Sequence, residues 1–181
     1  MSTLTVKELS HPAGQVIKIA AGKTLDLKSQ GTTTLPAGSV LKVASASSAS
    51  TLTTSSASYV ELTSNFRPTI TPTSTSSSVQ YSFALNVNAD TDTEAHGYVS
   101  ATIKIDMYIG GSLSSTIYEK GNILDRAGQT RMRHVVLFGT VSPNTTSAVE
   151  FRSYIKLDAG SRNIQTCMGS HHSASLMEVS A

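Results

Sequence analysis

The sequence holds one cysteine, no tryptophan and five prolines in 181 residues. A lone thiol, Cys167, excludes an intrachain disulfide framework and a cysteine-built zinc site. Charged residues make up 14% and the formal net charge is +2. Neither a charged disordered tail nor the dense basic face of a nucleic-acid binder is expected from that balance. No run approaches the ~18 apolar residues of a membrane span. Met1-Ser2-Thr3-Leu4-Thr5-Val6-Lys7-Glu8 has no apolar stretch after a basic start, so no secretory leader is expected. Helix signals are nearly missing as well. The best stretch, 119–126, contains Gly121 and is followed by Gly128, so it reads as a loop with one turn at most.

Hydroxyl groups are abundant instead: 29 Ser and 23 Thr, or 52 of 181 residues. Leu, Ile, Val and Phe total 41, about 23%, just above the ~20% below which chains tend to stay disordered. The chain therefore folds around a thin core. Thr and Val fit a pleated strand and Ser fits turns, so the composition suits β-structure.

Alternation confirms that choice. Val99, Ala101, Ile103, Ile105, Met107 and Ile109 share one parity, and Ser100, Thr102, Lys104, Asp106 and Tyr108 the other. That is a long strand with one buried and one wet face. Val79, Tyr81, Phe83, Leu85 and Val87 repeat the pattern, as do Val149, Phe151, Ile155 and Leu157 against Glu150, Arg152, Tyr154 and Lys156. Around 131–141 both parities are apolar, as in a central strand. Weaker strands fall at 58–63, 113–119, 162–168 and 174–179, divided by turn signals such as Gly110-Gly111 and Ser142-Pro143-Asn144. The expected fold class is all-β: an antiparallel, jelly-roll-like β-sandwich over 51–181.

Residues 1–45 differ. Ala13-Gly14-Gln15-Val16-Ile17-Lys18-Ile19, Ala21-Gly22-Lys23-Thr24-Leu25-Asp26-Leu27 and Ala37-Gly38-Ser39-Val40-Leu41-Lys42-Val43 repeat one unit, with the glycines eight and then sixteen apart. Each unit is a turn followed by a strand too short to stand alone. Copies from other chains would complete it, so a repetitive β-arm wound into a trimeric β-prism or spiral is expected, with Ile17, Ile19, Leu25, Leu27, Leu41 and Val43 as its interchain core. Two ordinary hairpins folded on the sandwich are the plainer alternative. The Ser/Ala run at 46–50 reads as a linker.

Chemistry-bearing motifs fail on inspection. Asp90-Thr91-Asp92-Thr93-Glu94 opens like a calcium loop, but the required Gly and Glu positions hold Ala95 and Ala101. His171 and His172 are adjacent, so on a strand they point to opposite faces; they are expected as exposed turn residues. Ser153 and Lys156 match a Ser-x-x-Lys pattern but have opposite parity on a strand. No catalytic residue, metal site or cofactor is expected, with a looser cation site on the 90–94 carboxylates, or an axial ion held by histidines of His171-His172 from three chains, as the lesser alternatives. Arg126, Arg131 and Arg133 make a local positive patch that would suit an acidic partner or simply face solvent.

Leu35-Pro36-Ala37-Gly38-Ser39-Val40-Leu41-Lys42-Val43, Tyr59-Val60-Glu61-Leu62 and Ile70-Thr71-Pro72-Thr73-Ser74-Thr75-Ser76-Ser77-Ser78-Val79 together resemble a recurrent pattern of tailed-bacteriophage fibre and capsid-decoration (head fibre) proteins. The resemblance covers about residues 35–110. It implies a homotrimeric, non-enzymatic virion component, made in the bacterial cytoplasm, whose partners are itself and the major capsid protein or another virion protein. Neither nucleic acid nor membrane is expected as a partner. A decoration or head-fibre role is favoured over the alternative, a tail fibre or carbohydrate-binding module for a host-surface glycan. For that alternative Tyr98 and Tyr108, on the wet face of one strand, are the contacts to consider.

Overall fold

The computed structural model describes residues 35–89, 100–121, 132–159, 163–166 and 171–181, together with the pair 21–22. The chain divides into two units, Met1–Thr34 and Leu35–Ala181. In the first, Ala21 and Gly22 form a turn with Gly22 at φ +74°.

The second unit is all strand and turn among its described residues. Its elements are β1 (Val40–Ser48), β2 (Thr53–Thr54), β3 (Val60–Glu61), β4 (Thr69–Ile70), β5 (Ser78–Ala89) and β6 (Ser100–Ile109). They continue with β7 (Ser112–Lys120), β8 (Met132–Val141), β9 (Val149–Ala159), β10 (Ile164–Thr166) and β11 (His172–Val179). Every pairing is antiparallel. One sheet runs β1-β11-β5 with β8 on the far side of β5, and β10 and β2 extend it at one end. The other runs β3-β9-β6-β7, with β4 also on β9. Following the chain, β1 lies in the first sheet, β3 and β4 in the second, β5 in the first, β6 and β7 in the second, β8 in the first, β9 in the second and β11 in the first. This is the strand order of a jelly roll, two sheets exchanging the chain through Greek-key connections.

Alternation builds the core. Val79, Phe83, Leu85 and Val87 from β5 and Leu176 from β11 face Ile103, Ile105, Phe151 and Ile155 from the other sheet, all buried. Phe83 meets Phe66 edge-on at 6.2 Å and Phe151 at 6.2 Å, pairings that add to the area they bury. The two-residue connection between β6 and β7 is Gly110-Gly111, at φ +57° and +86°. Both residues of a tight hairpin turn of this hand need positive φ, which glycine adopts without steric cost.

Two expectations change here. β1 pairs with β11 from Val40↔Val179 to Ser48↔His172, so the expected linker at 46–50 is largely strand. The sandwich begins at Leu35 and not at residue 51. Ser and Ala gave this stretch a linker's composition, but its alternation is that of a strand: Ala44 and Ala46 pack against the core while Ser45 and Ser47 are exposed. Leu41 and Val43, expected in an interchain arm, stand in β1. A register shift between Val40 and Lys42 changes which residues face the core, and it leaves Val43 60% exposed.

Candidate functional site

The outer face of the β3-β9-β6-β7 sheet collects most of the chemistry among the described residues. Strands β6 and β9 set it up, because each alternates a buried apolar side chain with an outward polar one. Their register places Lys104 opposite Tyr154 and Asp106 opposite Arg152, with Tyr108 beside Glu150. Directly opposed side chains on one face lie close enough to pair.

The groups on this face satisfy one another. Arg67 donates from Nε to Glu61 Oε1 at 2.6 Å and from Nη2 to Oε2 at 2.7 Å, a bidentate fork. Lys104 Nζ lies 2.7 Å from Asp106 Oδ2, and Thr116 donates to Asp106 Oδ1 at 2.6 Å. Arg152 Nε donates to Glu150 Oε1 at 2.5 Å. Thr102 donates to Asp158 Oδ2 at 2.6 Å, and Lys156 Nζ lies 3.4 Å from Asp158 Oδ1. The hydroxyls of Tyr108 and Tyr154 share a hydrogen bond of 2.8 Å, and Tyr59 donates to Glu119 at 2.6 Å.

Cations also cover the rings. The Arg152 guanidinium lies 3.8 Å from the Tyr108 ring centre. Lys104 Nζ sits 4.7 Å from the centre of Tyr59 and 4.9 Å from that of Tyr154, and Lys156 reaches Tyr59 at 5.1 Å. The titration of the face follows from this packing. Burial, then the hydrogen bond to Glu119, pushes the Tyr59 phenol well above its ordinary value. Burial and the shared bond with Tyr108 push Tyr154 up to about 12. The hydrogen bond to Glu61 raises Arg67, and that to Glu150 raises Arg152. The result is a mosaic of paired charges and hydrogen-bonded tyrosines, in which Arg67, Lys104, Arg152 and Lys156 each meet a carboxylate.

Of the residues singled out from sequence, Tyr108 lies in this mosaic, half-buried and engaged by both Arg152 and Tyr154. Arg133 is part of β8, opposite Val87. Tyr98, Arg126, Arg131, Ile17, Ile19, Leu25 and Leu27 lie outside the described residues. Tyr59, Tyr154, Lys104 and Arg152 were not singled out. Their outward parity is visible in the sequence, but the register of β6 on β9 that gathers them is not.

Two polar groups of β11 point inward. His172, expected in an exposed turn, is fully buried against the Phe66 ring at 5.5 Å, and its Nδ1 accepts the Asn86 backbone N–H at 3.2 Å. It shares parity with Ala174 and Leu176, which carries it into the core. Burial lowers its pKa to about 4. Glu178, also buried, accepts the backbone N–H of Thr73 at 2.6 Å and its hydroxyl at 2.7 Å. Burial alone would raise this carboxyl; the hydrogen bonds of the Thr73 loop outweigh it and hold the group below its ordinary value.

No protein-family profile matches the chain, and no curated protein does. Among solved structures it is similar to that of infectious bursal disease virus Gx strain, at 10% identity and TM-score 0.43 over 87% of this chain. The VP2 subviral particle of the same virus matches at 12% and 0.43, also over 87%. The chain spans 37% of the length of each of these two viral chains. The CBM22-1 xylan-binding domain of Paenibacillus barcinonensis Xyn10C matches at 12% and 0.26, over 82% of this chain and 99% of that one. At such identities and TM-scores, what this chain does has to come from its own residues.

Proposed function

We propose that this chain is a non-enzymatic structural protein of a bacteriophage particle, a homotrimeric capsid-decoration or head-fibre protein. Residues 1–34 are its anchor and Leu35–Ala181 its displayed jelly roll. One observation carries this division of labour: Leu35–Ala181 forms a unit of its own, with its hydrophobic core inside it. The repeat units around Gly14 and Gly22 are assigned to contacts with further copies of the chain and with the capsid shell. The resemblance of residues 35–110 to phage fibre and decoration proteins supports the same reading.

The test uses purified particles and the full chain. Light scattering should give three times 19.0 kDa, and the chain should co-sediment with particles and label the head under immunogold. A chain lacking residues 1–34 should stay folded and β-rich but no longer sediment with particles. A monomer mass for the full chain, or undiminished particle binding after the deletion, overturns the proposal.

The alternative, a tail fibre or glycan-binding module, draws on Tyr59, Tyr108 and Tyr154. Sugars stack on bare aromatic faces. Here Arg152 lies over Tyr108, and Lys104 over Tyr59 and Tyr154, so the geometry favours a locked face over a stacking platform. A glycan array should give no signal, and a signal lost on Tyr108→Ala would favour the alternative instead.

A further inference from the structure

The two outer faces of the sandwich differ in kind. The β9-β6 face carries paired charges, whereas among the described residues the outward rows across β1, β11, β5 and β8 carry no Lys, Arg, Asp or Glu, and exposed His134 is their titratable side chain. The register aligns Ser45, Ser175, Ser82 and Phe138 in one row. The next row ends on Ala84 and Val136, and the row on the other side starts at Val43. Phe138 is 84% exposed and Val136 65%. Both stand on β8, which pairs with β5 alone among the described residues. Soluble sheets ordinarily protect such an edge with charge or proline. Loss of charge together with an exposed aromatic is the composition of an interface centre.

We infer that this face is where copies of the chain meet, with Phe138 as the knob that seats on the serine floor of the next copy. The inference rests on the self-assembly proposed above and names its surface. Three features select a second copy as the occupant. The face is complementary to itself: a projecting ring at one edge, small side chains beside it and exposed Val43 at the opposite edge. Among its described residues it offers no Lys or Arg to recognise an acidic peptide, a nucleic acid or a lipid headgroup, while a copy of itself arrives equally without Lys, Arg, Asp or Glu, so no ion pair is desolvated. Its size is also adequate. Four strands at ~4.8 Å spacing and about eight residues at ~3.4 Å give roughly 500 Å² in projection, with more accessible area, approaching the ~800 Å² per partner of a stable interface.

The experiment follows association of the full chain by light scattering and sedimentation over a concentration series. Phe138→Glu should weaken association about tenfold or more, as removal of a central aromatic anchor does, with an unchanged far-UV spectrum. Phe138→Ser, which removes the ring without adding charge, should act in the same direction. Ser114→Glu, the same charge on exposed β7 of the other sheet, should leave association as it was. Wild-type chain that is monomeric throughout overturns both this inference and the trimer. Wild-type chain that associates, with the Phe138 variants associating equally well, overturns the interface and leaves self-assembly standing. Variants that associate normally but lose particle binding would assign the face to the shell and overturn the choice of a second copy.

Discussion

Gly139 and Tyr81 are direct partners across β8 and β5, and the tyrosine ring lies over the glycine. A Cβ at residue 139 would stand 2.6 Å from Tyr81 Cζ. The ring has little room to move, since it also packs against Phe83 and Phe151 at centroid distances of 6.0 and 6.1 Å. Gly139→Ala should therefore destabilise the fold by about 1–3 kcal/mol, the usual range for overpacking, measured by urea unfolding. His172 gives a second expectation. Its folded pKa of about 4 lies below its ordinary 6.5. Above pH 6.5 the imidazole is neutral in both states and has no effect. As pH falls from 6.5 towards 4 the unfolded chain takes up the proton and the folded chain does not, so stability drops, by the order of 1–3 kcal/mol. Glu178, held below its ordinary pKa, adds a loss at more acid pH as its folded value is passed. His172→Gln should flatten the unfolding free energy between pH 6.5 and 4; an unchanged slope would remove the role given to this side chain. The inward parity of both residues was legible beside Ala174 and Leu176. Their burial was not foreseen because polar identity normally marks the wet face.

At the scale of elements, the long strands were readable wherever apolar and polar residues alternate, and the observed β5, β6, β9 and β11 follow that pattern. In β1 the first half, Val40–Val43, was read as a short repeat strand, but its continuation over 44–48 was not, because alanine and serine differ too little in hydropathy for alternation to register against a linker's composition. The structure separates them. Ala46 stands opposite Ala174 and packs on the core, while Ser45 is exposed. Ala46→Asp should cost about 2 kcal/mol or more through its inward charge, and Ser45→Asp should stay within about 0.5 kcal/mol in the dilute monomer. In a linker the two would be equally silent. β4 was hidden for a different reason: Ile70 lies in a two-residue strand on β9, next to the Thr71-Pro72 turn signal. For the repeat in residues 1–34, alternation predicts that Leu25→Ala lowers the melting temperature of the assembled chain, a buried leucine typically contributing about 2–5 kcal/mol. Asp26→Ala, on the polar parity, should change it far less. Equal damage from the two would mean that the parity is inverted.

Among the described residues, the Leu35–Ala181 unit divides its outer surface by chemistry. One sheet presents a mosaic of paired lysine, arginine and acid with tyrosine; the other presents mainly hydroxyls and methyls, with His134, Gln80 and one protruding ring. Parity alone identified which residues point outward, but not which of them become neighbours, since that depends on a register fixed by packing and turns. The ends of the sandwich give one more consequence. Gly38 N–H donates to Ser180 O at 3.0 Å, Ser180 N–H donates to Ser39 O at 2.9 Å, and the Ser180 hydroxyl donates to Pro36 O at 2.7 Å. The first and last segments of this unit are thus stitched together, while Gly110-Gly111 forms an exposed tip with open space around it. Because Pro36–Ser39 and Ser180 lie side by side, a circular permutant of this unit, bridged between those two segments and opened at the glycine pair, should keep every ladder while its chain ends move to another corner of the sandwich.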